Sequence, residues 1–393
     1  MFPRTTSHPR PAARSRAGGG PRTADSPGTP DAPGEPGPAA APRAKPAPRV
    51  GRRGEGIWGW LFVSPMVTIL GLFMVLPILM ALWVSLLNWD GQSNPFSTDA
   101  QFVGLDNYRD LLTRDGLDRT LFATSLRNNL YYVLLTVPLQ TGVALTLALV
   151  VNQKLLRGRG ALRTAFFFPS VTSSIAVSTV FLFLFQGSGA VNAALSWIGV
   201  KGPNWFNDPR GVLSLLLGGL GIVDPDDPSG ALAGHSFLGL SWFEWLSGPS
   251  VAMCTIILLA VWTTSGTFML IFLAALQDIP RELEESAAIE GVSRFQMLRY
   301  VILPALRPVL FLVLTLGLIA TWQVFDQVYV MGQGAPGNTT LTPAFLSYAS
   351  AFDNADFGQG MAIAFILLAL ILTMTVLQRF LLRERTPRPR RTR

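Results

Sequence analysis

Covalent chemistry has almost no material to work with in this chain. Its two histidines, His8 and His235, lie far apart, neither stands at metal-ligand spacing from a second ligand, and Cys254 is the single cysteine. A zinc or haem site and a disulfide-stapled fold are therefore not expected, and no metal or cofactor is. The three lysines, Lys45, Lys154 and Lys201, follow Ala, Gln and Val. Without a Gly-Lys pair there is no phosphate-cradling P-loop, so ATP hydrolysis by that route is excluded. What remains is non-covalent. Glu282, Glu284 and Glu285, beside the small residues Ser286, Ala287 and Ala288 and ahead of Gly291, can offer acceptors and close backbone approach to a basic groove. Thr263, Thr264, Ser265 and Thr267, with Thr321, Trp322 and Gln323, combine hydroxyls, an amide and an indole that suit a sugar or polyol. Each group has a plainer alternative: an acidic solvated turn for the first, and packing residues between membrane helices for the second.

The elements that must position these groups are membrane spans. With 49% hydrophobic and 14% charged residues, the chain is too apolar for an ordinary soluble domain. Six stretches are long enough to cross a hydrocarbon core: Ile57–Leu87, Leu130–Val151, Ala165–Phe185, Val251–Leu276, Pro308–Trp322 with its flanks, and Met361–Leu382. A seventh, Gly211–Val223, is short and Gly-rich and reads as an interfacial or re-entrant helix. Residues 1–55 hold 12 of the 29 prolines and ten Arg or Lys, and are expected to be a disordered tail, with an anionic-lipid contact as the alternative. Arg52-Arg53 precedes too long an apolar run, with no A-x-A cleavage site, for an export signal, so that run reads as an uncleaved anchor.

Charge then sets the orientation. The N-terminal tail, 152–164, 277–300 and 379 onward carry 24 Lys or Arg, against six in 88–127, 186–249 and 323–357. By the positive-inside rule both termini are cytoplasmic, which accounts for the net charge of +7 without nucleic acid. The spans contain no Asp, Glu or Lys, so coupling to a proton or ion has no intramembrane group to use. A transporter so built takes its energy from outside the membrane and favours an uncharged solute.

One cytoplasmic loop, 277–304, carries its own order. Asp278 is expected to cap a first helix with Pro280 in its first turn, Glu282, Glu284 and Glu285 complementing its positive end and Gly291 supplying a left-handed exit. Ser293 and Gln296 form an S-x-x-Q capping box for a second helix, closed by Pro304.

That loop resembles the EAA signature of the permease subunits of binding-protein-dependent ABC importers: E-A-A, three residues, G, nine residues, I-x-L-P. Glu285, Ala287, Gly291, Leu303 and Pro304 fall on it, with Ser286 in place of the first Ala and Val301 in place of the Ile. Phe102–Tyr108, Arg163–Pro169, Gly332–Thr339 and Ala351-Phe352 are similar to the sugar permeases related to the maltose and glycerol-phosphate systems. Residues 205–245 depart from them and read as an outer-loop insertion within reach of a binding protein.

The resemblance implies an all-α, polytopic, six-helix permease of the type I ABC importer (MetI-like) fold. It divides the chain into a tail (1–55), a first span with its outer loop (56–123), a core (124–382) and a basic tail (383–393). It further implies a cytoplasmic-membrane protein importing a sugar, oligosaccharide or polyol, with a second permease subunit, two separate ATPase subunits, a solute-binding protein and membrane lipid as partners. Glu285, Ser286, Ala287, Gly291, Leu303 and Pro304 would couple to the ATPase. Thr263, Thr264, Thr267, Thr321, Trp322 and Gln323 would lie along the solute path. The alternatives are a permease for another small solute, an exporter, or a membrane channel or enzyme. The last would need paired intramembrane carboxylates, a His or a metal cluster.

Overall fold

The computed structural model describes residues 52–98, 100–153, 158–219 and 236–381; the expected tails, up to 51 and from 383, and the middle of the insertion, 220–235, lie outside them. Contacts divide the chain into two compact units, Met1–Ser64 and Pro65–Arg393, and the packing described below belongs to the second.

Among the described residues four helices are long and apolar enough to cross a membrane: Gly59–Val84, Leu117–Asn152, Val251–Gln277 and Phe357–Leu381. Hydrocarbon offers no partner to a peptide group, so an uncharged apolar run of this length satisfies its backbone only as a helix. Of the two other expected spans the third is bent at a break, and the fifth, Pro308–Trp322, lies within one continuous helix, Arg307–Trp322, that follows a bend. The stretch expected as Ala165–Phe185 is instead Arg159–Val171 and Ser174–Leu184, bent by 99°. The cause is local: Pro169 removes a backbone donor, and Thr172 is extended at φ −75°, ψ 148°. The carbonyls freed at the break are met by hydroxyls, Ser170 Oγ donating to Phe167 O at 2.6 Å and Thr172 Oγ1 to Phe168 O at 3.1 Å. The bend before the fifth joins Arg294–Ala305 to Arg307–Trp322 at 72°.

The central helix, Val251–Gln277, is the most buried of the four, and it packs along Leu117–Asn152. Ala144, Ala148 and Val151, all fully buried, bring the two backbones together next to Phe268, Met269, Phe272 and Leu276. In lipid this association rests on van der Waals contact between small residues, since tails are as apolar as the side chains. The same central helix crosses the 159–171 helix closely at Gly266, where a Cβ would stand 2.2 Å from Phe166 O.

At the end opposite the 277–304 loop, two sequence motifs acquire structural roles. The Phe102–Tyr108 segment folds back on the end of the first long helix, with Asn107 Nδ2 donating to Ser85 O and Leu87 O and Tyr108 hydroxyl 2.8 Å from Ser85 Oγ. The Gly332–Thr339 segment is tied to the 117–152 helix by Asn128 Nδ2, which donates to Asn338 O at 2.7 Å and Leu341 O at 3.0 Å. Gly211, within the stretch expected as an insertion, bridges to Ser250, the N-cap of the 251–277 helix. Of the Gly211–Val223 segment, Val212–Gly219 is helical and the remainder falls outside the described residues.

Candidate functional site

The acidic loop is a helix-turn-helix elbow. Arg281–Ile289 forms its first arm and Arg294–Met297 opens its second. Gly291 turns the chain at φ +75°, and a Cβ there would meet nothing within 4 Å, so the glycine is demanded by the left-handed backbone and not by crowding. Glu290 N and Val292 N close the first arm on Ser286 O and Ala287 O, both at 3.2 Å. The Ser293–Gln296 capping box is present in both directions, Gln296 N donating to Ser293 Oγ at 3.3 Å and Ser293 N to Gln296 Oε1 at 2.9 Å. Ser293→Ala removes the first of these bonds and should lower the stability of the second arm by ~1 kcal/mol, read as faster amide exchange confined to residues 294–297.

Three details differ from expectation. Asp278 is the C-cap of the 251–277 helix, its N–H on Ala274 O, and it does not cap the elbow; Pro280 precedes the first arm and cannot be followed by it any earlier. Pro304 does not end the second arm, because a π-turn over Leu298–Ile302 absorbs its missing donor, and the break falls at the buried Leu306. Ala287 is turned inward, while Glu282, Glu285 and Ser286 face outward. The outward face is also more apolar than an acidic run implies: Ile289 is 87% exposed and Phe295 73%. Leu303 and Pro304 are partly buried at the base of the elbow.

The base is what joins the elbow to the helices. Ile279 on one side and Ile302 on the other pack against the cluster that contains Phe272, Leu276 and Leu306. The same cluster includes Phe268, which lines two adjoining cavities of about 210 and 440 Å³.

Five of the six expected path residues reach these cavities. Thr264 lines both, Thr263 and Thr267 the larger, and Thr321 and Gln323 the smaller. Trp322 does not; it is buried against Val133, Val137, Leu367 and Ile371, because the helical step from Thr321 carries it about 100° round to the opposite face. The larger cavity gains Ser170, Thr172, Ser174 and Ser178 from the break in the third span. Gln140, which sequence reasoning passed over, is 1% exposed and accepts from Thr264 Oγ1 at 2.7 Å. Its Nε2 has no partner among the described residues, and neither has Ser178 Oγ. A lone amide in the middle of an apolar span was the signal for it. Gly317 makes room for that amide, since a Cβ there would lie 2.6 Å from Gln140 Nε2. Among the described residues Asp326 is the only charged side chain lining either cavity. The arrangement presents hydroxyl acceptors and an amide donor to a neutral, hydrogen-bonding molecule, and no clustered ligands for a metal occur among the described residues.

The family described as "Binding-protein-dependent transport system inner membrane component" matches residues 128–386. The lactose transport system permease protein LacF of Rhizobium radiobacter is 30% identical over 83% of this chain and 94% of its own length. The trehalose/maltose transport system permease protein MalF of Thermococcus litoralis is 30% identical over 81% of this chain and 91% of its own. The arabinooligosaccharides transport system permease protein AraP of Bacillus subtilis is 29% identical over 81% and 86%. Among solved structures, a chain of a bacterial ABC transporter involved in the import of the acidic polysaccharide alginate superposes with a TM-score of 0.62, covering 85% of this chain and 98% of that one at 20% identity, a likeness of fold.

Proposed function

The chain belongs to the family of inner membrane components of binding-protein-dependent transport systems, and from that premise we propose that it is the permease subunit of an ATP-driven importer of neutral sugars, oligosaccharides or polyols. Both termini are cytoplasmic, the elbow faces the cytoplasm, and the insertion lies outside, as the distribution of Lys and Arg requires. ATP is hydrolysed by separate subunits, because this chain has no P-loop lysine. A second permease subunit completes the path, and a solute-binding protein delivers to it.

The observation that carries this reading is the packed route from elbow to cavity. Closure of an ATPase dimer around Glu285 and the exposed Ile289 and Phe295 would move the elbow as a unit, since its capping box and Gly291 turn leave it little internal freedom. Ile279, Ile302 and Leu306 pass that movement to a cluster whose Phe268 is a wall of the solute space. A close-packed cluster yields by switching between arrangements and not by gradual compression, which suits a pore that must open to one side at a time. For the solute, the lining favours neutral saccharides: among the described residues an acidic one would meet Asp326 and no cation.

The test is reconstitution. Proteoliposomes holding this chain, its partner permease, the ATPase and a purified solute-binding protein should take up labelled neutral sugar only with ATP. Uptake by this chain alone, or without nucleotide, would refute the reading. Within that assay Gln140→Leu takes away the side-chain acceptor of Thr264, leaving it only Ala260 O at 2.7 Å, and takes the amide donor from the cavity. Losing a buried polar contact of this kind costs roughly 1–3 kcal/mol. Uptake should fall about five- to a hundredfold, with the complex still assembled and the binding protein's own affinity for sugar unchanged.

A further inference from the structure

Two short elements of the outer stretch between the third and fourth spans are bonded to the outer ends of long helices. Trp242–Leu246 is a short helix closed by a Ser241–Glu244 capping box. Arg127 donates to Glu244 O at 3.3 Å, the Tyr131 hydroxyl donates to Trp245 O, and Gly248 N donates back to the Tyr131 hydroxyl at 3.3 Å. Arg127 and Tyr131 belong to the 117–152 helix, whose apolar run begins at Leu130. Arg127 stands three residues before it, ~4.5 Å along the axis, and the headgroup layer on each side of a bilayer is ~6 Å deep. The Trp242–Leu246 helix is therefore held at headgroup depth.

The second element is the apolar helix Val212–Gly219. Val212 N donates to Pro249 O at 2.8 Å and Ser214 N to Ser247 O at 3.1 Å, and Leu213 lies over Gly248, where a Cβ would stand 2.9 Å from its own. Gly248 is the residue bonded to Tyr131, and Ser250 caps the 251–277 span. Both elements thus meet the bundle at one level, where two spans begin.

Helical phase tells which side of the bundle they overhang. Arg127 and Tyr131 share a stripe with Leu134, Leu135 and Pro138, since residues three and four apart are neighbours on a helix, and those three are exposed within the apolar run. Gln140, on the wall of the smaller cavity, is nine residues after Tyr131, half a turn round at ~100° per residue. The two elements therefore stand over the lipid-facing stripe, with the solute space behind them.

Their exposed side chains suit that position. Leu213 and Leu216, one turn apart, are exposed, as are Trp242 and Leu246. Trp245 Nε1 is spent on Phe237 O at 3.1 Å, whereas Trp242 Nε1 has no partner among the described residues. An indole with an apolar ring and a free N–H belongs where acyl chains meet ester and phosphate oxygens. The hairpin preceding the helix, Ser236–Phe237 paired with Leu240–Ser241, rises away from this level. A Cβ on Gly239 would lie 3.4 Å from Thr120 Oγ1. Thr120 is ten residues before Leu130, ~15 Å along the axis, so the tip is in water.

We propose that Val212–Gly219 and Trp242–Leu246 form a lipid anchor in the outer leaflet. Leu213, Leu216 and Leu246 rest among the upper acyl chains, and the Trp242 indole donates to a phosphate or ester oxygen of a phospholipid. The depth of the attachment, the lipid-facing stripe directly beneath it and the one free indole donor select a lipid surface as the occupant. Through Tyr131 the anchor holds the outer end of the 117–152 helix at a fixed depth.

The probe is a nitroxide on the full chain in bilayers of phosphatidylethanolamine and phosphatidylglycerol. Cys254 is the only cysteine, so Cys254→Ser combined with Leu246→Cys, Leu216→Cys or Leu238→Cys gives a single label, the last at the hairpin tip as the aqueous control. Oxygen concentrates in hydrocarbon while a nickel chelate stays in water, so the ratio of their collision rates with the label reports depth. At positions 246 and 216 that ratio should exceed the ratio at the tip by roughly threefold or more, because the tip stands clear of the headgroup layer. Trp242→Ser in the Leu216→Cys chain should move its ratio toward that of the tip with the melting temperature unchanged, and Trp242→Phe, which keeps a ring and loses the N–H, should fall between. Equal ratios at all three positions overturn the proposal, as does a ratio at position 216 that Trp242→Ser leaves unmoved. Oxygen contact at positions 246 and 216 that disappears on assembly with a partner permease, or on addition of a solute-binding protein, overturns it too, by making the surface a protein interface. No step of this measurement needs uptake, so its failure leaves the importer reading standing, and the failure of that reading leaves the anchor.

Discussion

Glu285→Arg and Gly291→Val should each abolish ATP-driven uptake, by at least tenfold, while the spans stay folded. The two act by different physics. Glu285 is exposed on the outer face of the first arm, so reversing its charge leaves the arm intact and presents a cation to a groove proposed to be basic. Juxtaposed like charges at a contact cost several kcal/mol, enough to release the ATPase from the membrane subunits on affinity purification. Gly291→Val keeps every charge but asks a β-branched residue to hold φ +75°, a cost of ~1–2 kcal/mol or more. The turn relaxes by re-aiming the second arm, and the elbow no longer fits. Because a Cβ at this position would touch nothing within 4 Å, crowding cannot be the cause, and Gly291→Asn, which tolerates the left-handed region, should retain most of the uptake. If the Val variant transported normally, or the Asn variant failed as completely as the Val one, the elbow would not be a rigid coupling device.

Gly266→Val should damage the fold. A Cβ there would stand 2.2 Å from Phe166 O, 3.0 Å from Phe166 C and 3.1 Å from Phe167 Cα. All three are backbone atoms of the neighbouring helix, so no side chain can swing aside, and the helices must part along the crossing. Overpacking typically costs 1–3 kcal/mol, and a clash with main chain belongs at or above ~3 kcal/mol. The expected readout is a fall in melting temperature of the detergent-solubilised chain of about 5 °C or more, with loss of uptake. Gly142→Ala is the matching control. It lies in the 117–152 helix with nothing within 4 Å of its Cβ, and by helix propensity alone it should be neutral or stabilising by up to ~1 kcal/mol. Equal effects from the two would mean that Gly266 does not mark a true helix crossing.

The elbow was legible because its structure is encoded over neighbouring residues. Ser293 and Gln296 can satisfy each other's backbone only at that spacing, and Gly291 is the residue that ends a helix in the left-handed region, so both were readable before any fold was known. Asp278 was misread for the same local reason: an acidic residue followed two places on by Pro280 is an N-terminal signal, but the preceding helix runs on through Gln277 and takes Asp278 as its own C-cap. Ala287 was assigned to the docking face by residue type, whereas helical phase turns it inward and brings Ile289 outward.

The solute space was legible in composition but not in membership. Thr263, Thr264, Thr267, Thr321 and Gln323 line it; Trp322 belongs to a core cluster and Gln140 takes a place beside Thr264. Which face of a span meets a cavity depends on its rotation about its own axis. Uniformly apolar spans carry no amphipathic stripe to report that rotation.

Taken by itself, the order of residues determined that the chain is a set of apolar helices with an acidic elbow, because length, charge and capping act within a few residues of each other. Only the tertiary structure decided that the third span is bent at a break and that the fifth follows a bend, that Gly266 and Gly317 make room for Phe166 and Gln140, and that the elbow's base and the cavities share Phe268. Those are contacts between residues scores of positions apart, and they exist only once van der Waals packing has chosen which helices lie side by side.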